Sequence, residues 1–197
     1  MSWSLHMSSP RQSGSSVQAL HRVLRRWRRD QQGTTAVEFA IVGVPFLMMC
    51  FGVITVGLHF LTTYSLENAV ERAGRLIRTG QAQTSMMSAD QFKQQVCVNA
   101  ASYIDCTSKL KVHVQSWADF GSITPKACLD ASGNMAGSGN GGDPVGNSSG
   151  GASRVVLITA CYEWELAARL PFLRLGKMNN GSALIQAATT FRTEPYN

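Results

Sequence analysis

A single glutamate stands at the start of a long apolar run, five residues after a glycine. Residues 31–43 read QQGTTAVEFAIVG, which places Gly33 and Glu38 at this spacing. An acidic side chain at the centre of a membrane helix costs about 2.5–3.5 kcal/mol, and it costs less near an end of the helix. A buried carboxylate is best compensated by a cationic partner. Glu38 is therefore either a contact for an ammonium group or a side chain that reaches the membrane surface.

The other residues of catalytic type form no recognisable constellation. The sequence contains no G-x-S-x-G, H-E-x-x-H or P-loop motif. Glu163 and Glu165 form a lone acidic pair, which we interpret as surface residues. The histidines are scattered along the chain, at His6, His21, His59 and His113. The sequence thus predicts no catalytic residues, no enzyme activity and no cofactor.

Residues 40–61 form an uncharged apolar run of membrane-spanning length. As a helix, these 22 residues would be about 33 Å long, enough to cross the hydrocarbon core of a bilayer. A buried core helix is one alternative, but so small a domain rarely buries a helix that is apolar on all sides. A cleavable signal peptide is another, but its apolar region is shorter. With the turns that precede the run, we place a transmembrane helix at residues 34–61.

The positive charge of the chain lies almost entirely before this helix. The net charge is +6, and six arginines precede Gly33 against one acid, Asp30. The positive-inside rule then places residues 1–33, a basic leader, in the cytoplasm and residues 62–197 outside. The rest of the chain is close to neutral. This argues against nucleic-acid binding, because such domains carry a basic face on their folded part.

Four of the five cysteines follow the predicted span, and Cys50 lies within it. An oxidising outer compartment permits disulfides, and four cysteines allow three connectivities. We favour Cys97–Cys106, which closes a short loop between a helix and a strand, and by elimination Cys128–Cys161. Buried free thiols are the alternative for both pairs. The close C-x₂-C clustering of a zinc site is absent, so no metal is predicted.

Helical periodicity continues beyond the membrane. One stripe contains Leu66, Ala69, Val70, Ala73 and Ile77, and the charged residues lie elsewhere. Gly80 is a typical C-terminal stop. The transmembrane helix therefore continues into an amphipathic helix, and the two form one rod of more than 40 residues. The amphipathic half must pack against the chain's own domain.

The following residues predict a small α+β domain. Ser88 and Gln91 form a capping-box pattern at the start of a second helix. Residues 109–117 alternate as a half-buried strand does, with Leu110 and Val112 on one face and His113 on the other. Two further strands are predicted at 154–166 and 182–194. Three strands after helical material indicate an antiparallel sheet.

Residues 131–153 are dominated by glycine, serine and asparagine. This composition has almost no apolar content and is typical of a flexible chain. We therefore predict a flexible Gly/Ser-rich loop over residues 131–153, inserted in the outer domain.

The stretch GTTAVEFAIVGVPFLMM, residues 33–49, resembles the N-terminal signature of TadE-like proteins. These are pseudopilin or minor pilin-like components of the bacterial tight-adherence (Flp) pilus machinery. The segments AVERAGRLIRTGQAQ, FKQQVCVNAASYIDC, YEWEL and PFL are also similar to parts of that family. The resemblance covers most of residues 33–197, and leaves the leader and the glycine-rich loop as additions.

The resemblance implies roles for four residues at the N-terminus of the span. A prepilin peptidase would cut between Gly33 and Thr34, which leaves Glu38 at the fifth position of the mature chain. Glu38 would align the subunit by pairing with a free amino terminus, its own or a neighbour's. Phe39 matches the aromatic residue that often follows. Thr34 departs from the bulky apolar residue common at the start of mature pilins, and an uncleaved anchor with Glu38 at the interface is the alternative.

The resemblance also implies location and partners. The chain would be a single-pass protein of the bacterial inner membrane with a periplasmic domain, and it would associate with the pilus. Its partners would be the prepilin peptidase, other pseudopilins and pilus assembly proteins (TadF-like and TadG-like proteins and the Flp pilin). The competing interpretation is a membrane-anchored extracytoplasmic binding module, a sensor or an adhesin, that uses residues 131–153.

Overall fold

The computed structural model describes residues 33–137, 145–170 and 173–195. The basic leader predicted at residues 1–33 therefore lies outside the described residues, apart from Gly33. Contacts divide the chain into two compact units, residues 1–51 and 52–197. The described part of the first unit is the beginning of the long N-terminal helix.

That helix, α1, runs from Thr34 to Arg78 without interruption. It is continuous through Pro45, although a proline inside a helix removes one i→i−4 hydrogen bond. The helix ends just before Gly80, as the sequence predicted. Gly80 adopts a left-handed conformation with φ of 79°, which costs little for a residue without a Cβ atom. The predicted rod, 45 residues long, is thus confirmed.

The remaining elements form a small α+β unit, as predicted. The Ser88 side chain accepts from the Gln91 N–H at 3.2 Å, and the Ser88 N–H donates to Gln91 Oε1 at 2.8 Å, so the capping box is confirmed. The helices after α1 are α2 (Gln81–Thr84), α3 (Ala89–Asn99), α4 (Val145–Ser149) and α5 (Leu166–Arg169), with a 3₁₀ turn at Phe120–Ser122. The strands are β1 (Leu110–Trp117), β2 (Val155–Trp164) and β3 (Ala183–Arg192).

The three strands form one antiparallel sheet in the order β1-β2-β3. Leu110 lies opposite Tyr162, and Tyr162 lies opposite Ile185. These cross-strand partners share the face of the sheet that packs on α1. The buried stripe of α1 is the one that the periodicity predicted, Leu66, Ala69, Val70, Ala73 and Ile77, all at most 1% exposed. It forms one hydrophobic core with Val156, Ile158, Ala160, Ile185 and Ala187 of the sheet.

The second face of the sheet is more buried than the sequence predicted. Residue His113 of β1, expected on the solvent side of a half-buried strand, is only 4% exposed. The Cys128–Cys161 disulfide ties the segment before Cys128 to this face, and the Lys126 N–H donates to Gln115 Oε1 at 3.0 Å. Burial first, and then the nearby charges of Lys126 and Lys111, lower the pKa of His113. His113 is therefore neutral near pH 7 in the folded protein.

Two disulfides join the same cysteine pairs that the sequence favoured. Cys97 at the end of α3 is bonded to Cys106, with Cα atoms 5.8 Å apart. Cys128 is bonded to Cys161 of β2, with Cα atoms 5.7 Å apart. Cys50 is a free thiol in α1. The first bridge closes a short loop and the second fastens an irregular segment to the central strand.

The prediction of a loop over residues 131–153 is wrong at Val145–Ser149. Val145–Ser149 form the short helix α4, and Val145 is 2% exposed with its N–H donating to the Met87 carbonyl at 2.7 Å. Ser149 is fully buried and accepts from Gln83 Nε2 at 3.1 Å. A buried valine and an intramolecular hydrogen bond order this stretch despite its polar composition. Residues 138–144 of the predicted loop lie outside the described residues.

Gly74 lets α1 approach the sheet closely. A Cβ at this position would lie 3.1 Å from Phe191 Cε1 and 3.2 Å from Ile158 Cδ1. Alanine favours a helix over glycine by about 1 kcal/mol, but overpacking a core costs about 1–3 kcal/mol. We expect Gly74→Ala to lower the melting temperature of the full-length protein in detergent by about 2–4 °C, measured by circular dichroism. The control is Gly57→Ala, whose added methyl meets no atom within 4 Å; a Gly74→Ala protein that melts above it would contradict the packing argument.

Candidate functional site: the apolar helix and its N-terminal motif

The motif that the sequence singled out lies at the first turns of α1. Gly33 directly precedes the helix, and Thr34 is its first residue. Gly33, Thr34 and Glu38 are exposed. Among the described residues, Glu38 forms no hydrogen bond and no ion pair. Its carboxylate is therefore available to a partner from outside this part of the chain.

Phe39 is also available for contact. Its side chain is 77% exposed. Its ring lies over Gly43, one turn further on, where an added Cβ would be 3.5 Å from Phe39 Cε1. Glu38 and Phe39 therefore lie together at one end of α1, whereas the four disulfide-bonded cysteines belong to the second unit.

The part of α1 in the first unit is apolar around its whole circumference. Apart from Glu38, no charged residue occurs between Thr34 and Leu66. A helix that is apolar on all sides is typical of a membrane span. The large apolar side chains, each more than half exposed, are Val37, Phe39, Ile41, Val42, Val44, Phe46, Leu47, Met48, Met49 and Phe51. By length and composition, α1 is able to cross a membrane, which indicates single-pass anchoring.

The second unit contacts one side of α1 before the predicted end of the span at Leu61, while Val53, Ile54, Phe60 and Leu61 remain more than half exposed. Thr55 is 3% exposed and Thr62 is 2% exposed. The ring of His59 makes an edge-to-face contact with Trp164, with centroids 5.3 Å apart. A Cβ on Gly52 would lie 3.6 Å from Leu173 Cδ2. These contacts lie inside the run that the sequence assigned to the membrane.

An open groove of about 490 Å³ lies between the end of α1 and strand β3. Two of its lining residues, Arg78 and Glu194, form an ion pair with Nε and Oε1 3.5 Å apart and both side chains more than half exposed. Such an exposed ion pair contributes little to stability. The groove is lined by Glu71, Gly74, Arg75, Arg78, Thr79, Thr189, Thr190, Phe191 and Glu194. Among the described strands, β3 pairs only with β2 and is therefore an edge strand of the sheet.

The acidic residues near the end of β2 have structural partners. Glu165 Oε2 is 2.8 Å from Lys109 Nζ, and this hydrogen bond is the main reason why the pKa of Lys109 is raised. Glu163 accepts hydrogen bonds from Asn180 and Ser182. Within the described ranges, no three histidine, cysteine, aspartate or glutamate side chains come together in a way that could hold a metal ion. The carboxylates of Glu163 and Glu165 are therefore surface groups that are held by hydrogen bonds and an ion pair within the domain.

The N-terminal part of the chain is similar to a known protein family. A family model described as TadE-like protein matches residues 33–75, the stretch that contains Gly33, Glu38 and nearly all of α1. No curated protein and no solved structure matches the chain. The match indicates involvement in Tad pilus assembly, and TadE-like pilus assembly proteins are in general non-enzymatic. The match over residues 33–75 confirms the similarity to TadE-like proteins that was predicted from the Gly33–Glu38 motif.

Proposed function

We propose that the protein is a membrane-anchored pseudopilin or minor pilin-like component of a tight-adherence (Flp, type IVc) pilus assembly system. It acts through helix packing and protein–protein contacts, without catalysis of its own. One observation carries the proposal: the family match coincides with a helix whose first turns present an all-round apolar surface and one carboxylate. Such a surface supports lateral packing of helices within a membrane.

Glu38 is the assembly contact in this proposal. A prepilin peptidase cuts between Gly33 and Thr34 and creates a new amino terminus. The ammonium group of that terminus, on the same or a neighbouring subunit, pairs with the Glu38 carboxylate. The absence of any other charged group from Thr34 to Leu66 supports this, because an apolar environment leaves the pair without competitors. Phe39, exposed beside it, packs against the neighbouring helix.

The protein spans the bacterial inner membrane once, with residues 1–33 in the cytoplasm and the second unit in the periplasm. The six arginines before Gly33 support this orientation. The two disulfides of the second unit support it independently, because they form and persist in the oxidising periplasm. In this position, the second unit meets TadF-like and TadG-like proteins, other pseudopilins and the Flp pilin.

The outer edge of β3, together with the adjacent groove, is the part of the periplasmic domain best suited to those contacts. An edge strand offers unpaired N–H and C=O groups to an extended segment of another protein. Residues 183–191 of β3 contain no charge and no proline, so the strand lacks the usual devices that block such pairing. The groove beside it accommodates side chains of the added segment.

The test is a clean deletion of the gene in a piliated host, with complementation. Deletion should abolish surface pili, counted by electron microscopy, and the wild-type gene should restore them. Cross-linking from a photoreactive residue at Val42 should then capture another pilus protein. Intact pili in the deletion strain would overturn the proposal. If that strain also lost a response to a ligand, the alternative of an anchored sensor or adhesin would replace it.

A further inference from the structure

His113 is a buried histidine in strand β1, on the face of the sheet that does not pack on α1. Its side chain is 4% exposed, and within the described residues its Nε2 atom is buried without a hydrogen-bond partner. Thr159 of β2 lies opposite it, and Ala188 of β3 lies opposite Thr159, so these neighbours add no charge. A buried polar atom without a partner costs free energy, which an apolar residue would avoid. Packing alone therefore does not account for a histidine at this position.

The chain that follows β1 returns to this face of the sheet. We call residues 118–127 the crossing segment. Near its end, the Lys126 N–H donates to Gln115 Oε1 at 3.0 Å, and directly after it Cys128 is bonded to Cys161 of β2. In the described part of the chain, the bond from Lys126 is the one hydrogen bond between the crossing segment and the strands. Nearly all residues of the segment are exposed, so few contacts hold it in place.

The two points of attachment lie on either side of His113 along β1. Gln115 is two residues from His113 in one direction. Lys111 is two residues away in the other direction and lies opposite Cys161. Alternate residues of a strand share a face, so these three side chains of β1 lie on the same side of the sheet. Residues 126–128 therefore cross this side at the level of His113.

The charged groups that act on His113 are both cationic. Among the described residues they are Lys126 of the crossing segment and Lys111 of its own strand. Two acids lie near the segment in the sequence, Asp119 and Asp130, and both accept hydrogen bonds from backbone N–H groups of their own turns. A positive charge on His113 would therefore be buried beside like charges, without a carboxylate to compensate it.

These surroundings couple the attachment of the crossing segment to pH. Burial first, and then Lys126 and Lys111, lower the pKa of His113. When the segment is detached, water reaches the imidazole, and its pKa returns toward the ordinary value of about 6.5. The attached state therefore binds a proton more weakly than the detached state. Attachment is fully favourable above about pH 6.5, and it weakens as the pH falls below this value toward the lowered pKa.

We propose that protonation of His113 releases the crossing segment from the sheet. Release gives the imidazolium access to water and separates it from the Lys126 ammonium group. The Cys128–Cys161 disulfide keeps the end of the segment attached, so the movement is local. It uncovers this face of β1, and the contacts that the domain makes there depend on pH. This inference goes beyond the proposed role in pilus assembly and does not depend on it.

Hydrogen–deuterium exchange of the full-length protein, in nonionic detergent with both disulfides intact, tests the proposal. Exchange is measured at about pH 7.5 and about pH 5, on either side of the ordinary pKa of histidine, and is divided by the intrinsic chemical rate at each pH. We expect normalised exchange of the Lys126 amide, read in the peptide covering 118–127, to rise about threefold or more at the lower pH. Equal normalised exchange at the two pH values would overturn the proposal.

Exchange in β2, residues 155–164, distinguishes local release from a general loss of stability. It should change little between the two pH values, because the sheet stays folded when the crossing segment detaches. If exchange in β2 rose in parallel with that in 118–127, acid would destabilise the whole domain, and local release would be refuted. Neither result bears on pilus assembly, which the gene deletion tests separately.

His113→Gln tests whether this histidine is the group that titrates. Glutamine is uncharged at both pH values, so the variant should keep its protection at about pH 7.5 and lose the rise in exchange at about pH 5. A rise that persisted in the variant would assign the effect to another group and overturn the proposal. The comparison of the wild-type protein at two pH values requires no variant, so the proposal remains testable if His113→Gln folds poorly.

Two further variants test the position of the neighbouring charge. Lys126→Gln removes the ammonium group but keeps the backbone N–H that donates to Gln115, and it should show a smaller rise in exchange at about pH 5. Arg72→Gln removes the same charge from an exposed position of α1, which packs on the other face of the sheet, and it should show the full rise. If both variants reduced the rise equally, total charge would be responsible, and the proposed role of the buried site would fail.

Discussion

Glu38→Gln is expected to leave membrane levels of the protein and both disulfides unchanged while it abolishes pilus assembly. The substitution keeps the size of the side chain and removes its charge. If the carboxylate pairs with an amino terminus between helices, its loss leaves a buried ammonium group uncompensated. Breaking a buried pair in this way costs about 3–5 kcal/mol, which weakens subunit association by roughly two to four orders of magnitude. Folding of the second unit should not change, because Glu38 has no hydrogen bond or ion pair in the described residues.

The measurements are pilus counts by electron microscopy and co-purification with partner pseudopilins. Glu67→Gln is the matched control, since Glu67 is the next carboxylate along α1 and is exposed. It should assemble normally. If Glu38 only reaches the membrane surface, Glu38→Gln should be almost silent, because removing a charge near the end of a span costs little. Wild-type numbers of pili in the Glu38→Gln strain would therefore show that the carboxylate is not an assembly contact.

Gly33→Ala is expected to block removal of the leader in cells that carry the cognate prepilin peptidase. The fold itself does not require glycine at this position, because a Cβ on Gly33 would meet no atom within 4 Å and its φ is not in the left-handed region. A defect would therefore arise at recognition by the peptidase. Immunoblots of membranes should show a larger band for the variant than for the wild type.

Mass spectrometry of the wild-type protein should place its amino terminus at Thr34. Gly57→Ala serves as the control, since its added methyl also meets no neighbouring atom and it lies far from the cleavage site. It should be processed like the wild type. Wild-type protein of the same full-length mass as the Gly33→Ala variant would refute cleavage, and would leave Glu38 in an uncleaved anchor.

Several features of this protein follow from the sequence alone because their causes are local. The continuous helix Thr34–Arg78 follows from an apolar run that leads directly into apolar residues spaced at the helical period of 3.6. The helix then ends near a glycine that can adopt a positive φ. The capping box at Ser88 depends on two residues three positions apart. The alternation of apolar and polar residues along β1 predicts which of its faces packs against the core. The resemblance to TadE-like proteins likewise depends on a short spacing, that of Gly33 and Glu38, and both residues lie within the matched range 33–75.

Tertiary structure alone decided which polar segments are buried. His113 has the spacing of a solvent-facing strand residue but is only 4% exposed, on the face of the sheet to which the Cys128–Cys161 disulfide fastens another segment. Val145–Ser149 have the composition of a loop, but the core accepts Val145 and a hydrogen bond from Gln83 satisfies Ser149. The contact of His59 with Trp164 likewise joins two residues that are distant in the chain. Local sequence patterns predict helices and strands. Burial depends on contacts between residues that are distant in the chain, and the periodicity of a single segment does not predict these contacts.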